Sequence, residues 1–195
     1  MSRSPAYNRQ TVIDQAMAVF WERGYGQTSV GDLVRATGLK PGSLYAAFGS
    51  KKGVFLEVLD EYNRQFLARV RSLTRGNDRA IRNLKSLLED IIEETVAGRD
   101  RRGCLSVNAM LELSRHEPDV AARLVSHSES VRGAFAEVLD VARDQGDIAE
   151  SKDTAALSAF LVNNIWGLRV MCKGSPNRRT MQAVVDGIMA GLTSD

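Results

Sequence analysis

Two cysteines in 195 residues leave no material for a disulfide framework. Cys104 and Cys172 are also far apart in the chain, so a reducing cytosol is the expected setting. The opening residues MSRSPAYNRQ lack the apolar segment of a secretion signal. No later stretch reaches the roughly 18 uninterrupted apolar residues that a membrane span needs. The sequence therefore reads as a cytoplasmic chain, neither exported nor membrane-embedded. Catalytic signatures are missing too: there is no H-x-x-x-H or H-E-x-x-H run, no Gly-rich phosphate loop and no G-x-S-x-G elbow. The two histidines, in Arg115-His116-Glu117 and His127-Ser128-Glu129, lie among carboxylates. Pro118 separates them, and they read as exposed surface residues rather than as a metal or acid–base pair. No cofactor and no metal is expected. Strand-like alternation, internal repeats and low-complexity tracts are absent as well.

What remains is an all-α pattern with enough apolar residues, 44% against 26% charged, to bury a sizeable core. The net charge of +2 says little, but its distribution says more. From Met1 to Leu56 there are 7 Lys or Arg against 3 Asp or Glu, and 19 against 21 in the remainder. A basic N-terminal portion on a near-neutral body suits phosphate binding, although the asymmetry is modest.

Helical spacing of Val12, Ile13, Ala16, Met17, Val19 and Phe20 predicts a first helix from Arg9 to Gly24. Thr28 or Ser29 can cap a second, with Val30, Leu33 and Val34 facing inward and Gly38 ending it. Pro41 suits the first turn of a short third helix closed by Phe48 and Gly49. Ser50 can cap a fourth, which continues through Phe55, Leu59 and Tyr62. Further helices are expected over Ile81 to Gly98, Cys104 to Ser114, Pro118 to about Gln145, Ala155 to Met171 and Arg178 to Leu192, with Gly174, Ser175 and Pro176 between the last two. The expected division is residues 1–55 as a helix-turn-helix DNA-binding domain and 56–195 as a helical ligand-sensing and dimerisation domain, with the boundary inside the fourth helix.

Residues 28 to 55, TSVGDLVRATGLKPGSLYAAFGSKKGVF, carry the sharpest signal. Two short helices flank a glycine turn, the second starts with small polar residues, and lysines follow: the layout of a device that enters the major groove. Hydroxyls and free N–H groups at Thr28 and Ser29 suit a phosphate at a helix N-terminus. Tyr45 and Lys51 can hold the opposite groove wall. Lysine at a helix start opposes the macrodipole and calls for an external anion. Lys40, Pro41, Gly42, Ser43 and Leu44 form the edge that can reach bases: Lys40 to guanine O6 or N7, Ser43 to either partner, Pro41 or Leu44 to a thymine methyl. Phe48 reads as core.

In order and register, Gly24-Tyr25, Thr28-Ser29-Val30, Leu33, Ala36-Thr37-Gly38, Gly42-Ser43-Leu44-Tyr45, Phe48 and Lys51 resemble the DNA-binding domain of the TetR family of bacterial transcription regulators. The resemblance is close over about 50 residues and is one of length and helical layout thereafter. The family pattern usually carries a histidine between the tyrosine and the phenylalanine. Ala46-Ala47 stand there instead, which implies one phosphate contact fewer. The resemblance implies a regulator, mostly a repressor, of double-stranded DNA with a palindromic operator. It also implies a homodimer closed by the last two helices and a small-molecule or electrophile effector. Ala159, Val162, Ile165, Val184, Val185 and Ile188 are the expected interface residues, although intrachain core would suit them equally. Leu87, Ile91, Val107, Met110, Leu111, Leu124, Phe135, Phe160, Asn163 and Trp166 are candidates to line an effector pocket, or to be plain core.

Cys104 follows Arg101, Arg102 and Gly103 at a predicted helix start, where dipole and cations favour a thiolate. Burial as a small hydrophobe is the competing reading. Gly103-Cys104-Leu105-Ser106-Val107-Asn108 with the distant Lys173 resembles the subset of TetR-type repressors that sense electrophiles or oxidants through a cysteine and a lysine. Cys172 lacks such activation and reads as packing. A helical enzyme or an adaptor without DNA binding is the alternative, and it would leave the groove-entering segment without a use.

Overall fold

The computed structural model describes residues 7–76, 78–98, 101–174 and 177–193. Its helices are α1 Arg9–Arg23, α2 Val30–Thr37, α3 Pro41–Phe48, α4 Lys51–Ser72, α5 Ala80–Val96, α6 Leu105–Leu113, α7 Pro118–Asp144, α8 Thr154–Met171 and α9 Arg178–Thr193. No strand occurs among the described residues. The expected stop at Ser175 and Pro176 lies outside them.

The N-terminal helices are set by local chemistry. The Asn8 side chain accepts from Thr11 N–H and starts α1. Ser29 and Asp32 form a reciprocal capping box at the start of α2, which satisfies donors the helix cannot. Pro41 opens α3 in its first turn, and Ser50 accepts from Gly53 N–H to start α4. Gly38 ends α2 in the left-handed region at φ 67°, where a side chain would add strain. Gly53 is needed for space rather than torsion. A Cβ there would lie 1.9 Å from the Phe48 carbonyl oxygen, so α3 and α4 meet backbone to backbone.

Among the described residues the apolar side chains gather into two cores. The first joins α1 to α4 through Phe20, Leu33, Leu44, Phe48 and Phe55, and continues into Leu105, Ala109 and Leu113 of α6 and Val120 and Leu124 of α7. Phe20 packs edge-on to Phe55 with ring centroids 4.9 Å apart. Each such buried ring contributes about 1.5–3 kcal/mol. The second core gathers the end of α4 with α5, the later part of α7, α8 and α9 around Phe135, Leu139, Leu161 and Ile188. The long helices α4 and α7 contribute to both, so the groove-entering helices and the body are mechanically continuous.

Candidate nucleic-acid interface and sensing cleft

Leu44 and Phe48, 1% and 8% exposed, anchor α3 in the first core. The opposite face presents Lys40, Pro41, Gly42, Ser43, Tyr45 and Ala46 to solvent. A Cβ on Gly42 would meet nothing within 4 Å, so its slimness serves no packing inside the chain. Tyr45 is 47% exposed, whereas Leu44 faces inward and is corrected from base contact to anchor, because its side chain fills the gap between α3 and the core.

Three expected grips have internal partners instead. Thr28 is buried and its hydroxyl donates to Gly24 O at 2.7 Å, which corrects it from phosphate ligand to turn residue. The Ser29 hydroxyl donates to Asp32 Oδ2 at 2.7 Å and accepts from Asp32 N–H at 3.1 Å, although Ser29 itself is exposed at the start of α2. Lys51 extends its ammonium to the carbonyls of Tyr25 and Thr28 at 3.0 and 2.9 Å and lies over the Tyr25 ring. That locks the α1–α2 turn to the start of α4. The hydrogen bonds from Ser29, ahead of Arg23 and Arg35, hold the Asp32 carboxyl below its usual range, so the one acid in the first turn of α2 stays ionised and paired with Arg23 at 2.9 Å.

Sequence reasoning missed Glu112. From α6 its carboxylate accepts the N–H groups of Tyr25 and Gly26 at 3.0 and 2.6 Å. A Cβ on Gly24 or Gly26 would come within 3.0 Å of that carboxylate. No local spacing signals a bond across 86 or 87 residues.

In the body, α4, α6, α7 and α8 line a narrow, largely apolar cleft. Its walls include Tyr62, Phe66, Cys104, Met110, Leu124, His127, Val131, Phe135, Val162, Ile165, Trp166 and Arg169. Four expected pocket residues stand here: Met110, Leu124, Phe135 and Trp166. Leu87 and Ile91 are corrected to core, where α5 packs with α7, α8 and α9, and Val107 is buried outside the cleft walls. Leu111, 80% exposed, Phe160, 42% exposed, and Asn163 point outward, because the helical register turns them away from the cleft. Val162 and Ile165 are corrected from dimer contacts to cleft wall, and Val185 and Ile188 to intrachain core. Ala159 and Val184 are half-buried.

The expected exposure of His127 is also overturned: it is 8% exposed because α4 covers it, with Nε2 2.9 Å from Asp60 Oδ1. Burial lowers its pKa, partly offset by Asp60. No group of three or more His, Cys, Asp or Glu among the described residues is placed to hold a metal ion.

Cys104 is the N-cap of α6 and buried, and the Tyr62 hydroxyl lies 3.6 Å from its sulfur. Desolvation first, and the neighbouring thiol second, push the Tyr62 hydroxyl well above its ordinary pKa, so it remains a neutral donor. The loop before Cys104 is tied to the groove-entering end of the molecule: Trp21 Nε1 donates to Gly103 O at 3.2 Å, and Arg102 stacks on the Trp21 ring. The stem of Lys173 lies against Gly103, where an added Cβ would meet the lysine Cγ at 3.0 Å, while Lys173 Nζ donates to Asn108 Oδ1 at 3.1 Å. Lys173 thus packs on the residue before Cys104, and its ammonium is held by Asn108, whereas the partner of the Cys104 thiol is Tyr62. Cys172 sits apart in the second core against Thr95 and Leu168 O.

An anchored helix with a small exposed edge, carried by a helical body with its own cleft, defines a helix-turn-helix regulator. Residues 12–58 match the family of bacterial regulatory proteins, tetR family, and residues 78–188 match the tetracyclin repressor-like, C-terminal domain. The chain belongs to the TetR family and is a DNA-binding transcriptional regulator, not an enzyme. Among curated relatives, the HTH-type transcriptional repressor ComR of Escherichia coli is 30% identical over 182 residues, covering 92% of this chain and 87% of the relative. The regulator YezE of Bacillus subtilis is 30% identical over 191 residues, covering 95% and 96%. A cysteine mutant of the regulator CifR, solved with 26 bp double-strand operator DNA, is 33% identical with TM-score 0.82, covering 96% of this chain and 98% of that one. Reduced NemR of Escherichia coli shares the fold at TM-score 0.83 and 16% identity, covering 92% and 94%. No described helix is long and apolar enough to cross a membrane.

Proposed function

We propose that the protein is a homodimeric repressor that holds a palindromic operator through α3 and releases it when the cleft is filled or Cys104 is modified. The observation that carries this reading is the two-sided α3, with Leu44 and Phe48 fixed inward and Lys40, Pro41, Gly42 and Ser43 exposed at its start. Lys40 and Ser43 supply hydrogen-bonding groups for base edges, Pro41 an apolar surface for a thymine methyl, and Gly42 room for close approach. Ser29 and Tyr45 face the phosphates of the groove walls, while Lys51 fixes the turn behind them. The DNA-binding unit is residues 1–55 and the sensing unit 56–195, joined through α4.

A dimer is needed to place two α3 edges one helical turn apart. The outward stripe of α8, Ala156, Phe160, Asn163, Gly167 and Val170, and that of α9, Ala183, Gly187 and Ala190, are exposed at helical spacing; the alanines and glycines allow close helix contact, and Phe160 and Val170 supply apolar surface to bury. They replace the buried residues first expected there. Fluorescence anisotropy with a palindromic duplex tests the reading. The expected result is tight, salt-dependent binding by two protomers, whereas no preference over scrambled duplex would reject it.

A second reading for release rests on Cys104, Lys173 and the Trp21–Gly103 bond. The Cys104 thiol adds to an electrophilic alkene, forming an S–C bond while its proton passes to the adduct carbon, or reduces a peroxide to water as it becomes a sulfenic acid. Either product enlarges the side chain at the start of α6 and strains the loop that Trp21 holds. Intact-mass analysis after quinone or peroxide, beside a DNA-binding assay, decides it: an unmodified Cys104, or modification with binding intact, removes the sensor.

A further inference from the structure

Within the cleft wall, the two nitrogens of the His127 ring have different fates. Nε2 faces the carboxylate of Asp60 at 2.9 Å, and Asp60 is also paired with Arg123. An ionised carboxylate only accepts, so Nε2 carries the ring proton and Nδ1 is left with a bare lone pair. Nδ1 is buried, and no donor among the described residues reaches it. Such an orphan on a residue 8% exposed is uncommon in a folded protein and calls for a partner. The same cleft is lined by the apolar side chains of Phe66, Met110, Leu124, Phe135 and Trp166, with Asn63, Ser106, Ser128 and Arg169 as polar members of its wall.

We infer that the effector is an apolar, ring-sized molecule bearing a hydroxyl, and that this hydroxyl donates to Nδ1 of His127. The inference rests on the reading of the cleft as the effector site and narrows it to a chemical class. The tautomer fixed by Asp60 excludes a carboxylate or a plain carbonyl at this position, since two acceptors would face each other in an apolar space. An apolar molecule without a donor fits the walls equally well and leaves the nitrogen unsatisfied. The hydroxyl is therefore the element of specificity, as when a buried polar group discriminates against an analogue that cannot pair with it.

Calorimetric titration of the intact protein with 4-propylphenol and with propylbenzene tests this, since the two differ only in the hydroxyl. The phenol is expected to bind about tenfold more tightly, and His127→Leu is expected to bring the ratio close to one while propylbenzene still binds. Equal affinities for the wild-type protein, or an undiminished preference in His127→Leu, overturn the inference while leaving the cleft as a binding site. Binding of neither compound by the wild-type protein overturns the cleft reading and the inference with it. A measurement that needs no variant is the ¹⁵N resonance of Nδ1. It should move upfield on adding the phenol and stay in place with propylbenzene, and the same movement with both would contradict the hydroxyl contact.

Discussion

The carboxylate of Glu112 accepts the backbone N–H of Gly26 at 2.6 Å, so α6 grips the turn between α1 and α2 from outside the DNA-binding segment. Cys104 lies at the other end of the same helix, and the cleft runs along it. A shift of α6 therefore has a direct path to the helices that enter DNA. Glu112→Ala is expected to leave the fold intact and to weaken operator binding about fivefold, equivalent to about 1 kcal/mol for a solvent-exposed, charge-assisted pair of hydrogen bonds. Anisotropy titration checks this, and an unchanged affinity would mean that the turn holds its shape without α6.

Gly53→Ala should be more damaging than its small size suggests. The added carbon would meet the Phe48 carbonyl oxygen at 1.9 Å, so α3 must move relative to α4. A loss of about 1–3 kcal/mol is expected, seen as a fall of several degrees in the melting temperature together with weakened DNA binding.

Lys40 and Lys51 should separate in a salt titration. Lys40 is exposed at the N-cap of α3, so Lys40→Ala is expected to lower the slope of log affinity against log salt by about one. Lys51→Ala removes bonds to Tyr25 and Thr28 and should reduce melting temperature as well as affinity. Identical behaviour of the two variants would refute the assignment of Lys51 as a support.

The helices and several of their ends were legible because their signals are local: Thr28 or Ser29 as a cap, Pro41 at a first turn, Gly24 and Gly38 just past helix ends. Which face a residue takes in the assembled bundle was less so. Leu44 reads as a base contact, and the resemblance implies Val162 as a dimer contact with intrachain core as the equal alternative; both are buried, because α3 and α8 turn them toward neighbours distant in sequence. His127 gave the largest error. Its carboxylate-rich local sequence suggests solvent, but its partner Asp60 lies 67 residues away on α4. Glu112 left no trace in the sequence, since its partners are backbone groups.

The pH dependence of stability follows from His127. Burial lowers its folded pKa below the unfolded value of about 6.5, so the unfolded chain takes up the proton first as pH falls. The stabilisation is fully present above about pH 6.5 and is lost as pH drops through the folded pKa. Melting temperatures should fall between about pH 7.5 and 5.5, and His127→Leu should flatten that decline; an equal decline in the variant would assign it to other groups.

Phe160→Glu places a charge on the outward face of α8 without touching either core. Sedimentation should show the variant shifted toward monomer and weakened on palindromic DNA, while its melting behaviour as a monomer remains cooperative. A dimer of unchanged affinity would place the interface elsewhere.

The most direct measurement is hydroxyl-radical footprinting on the intergenic DNA beside the gene for this protein. Paired, two-fold symmetric protection over a palindrome with half-sites about one helical turn apart, lost in Lys40→Ala and restored at lower salt, is the expected result. Protection that lacks two-fold symmetry, or none in wild-type protein at low salt, would contradict a dimer that reads DNA through α3.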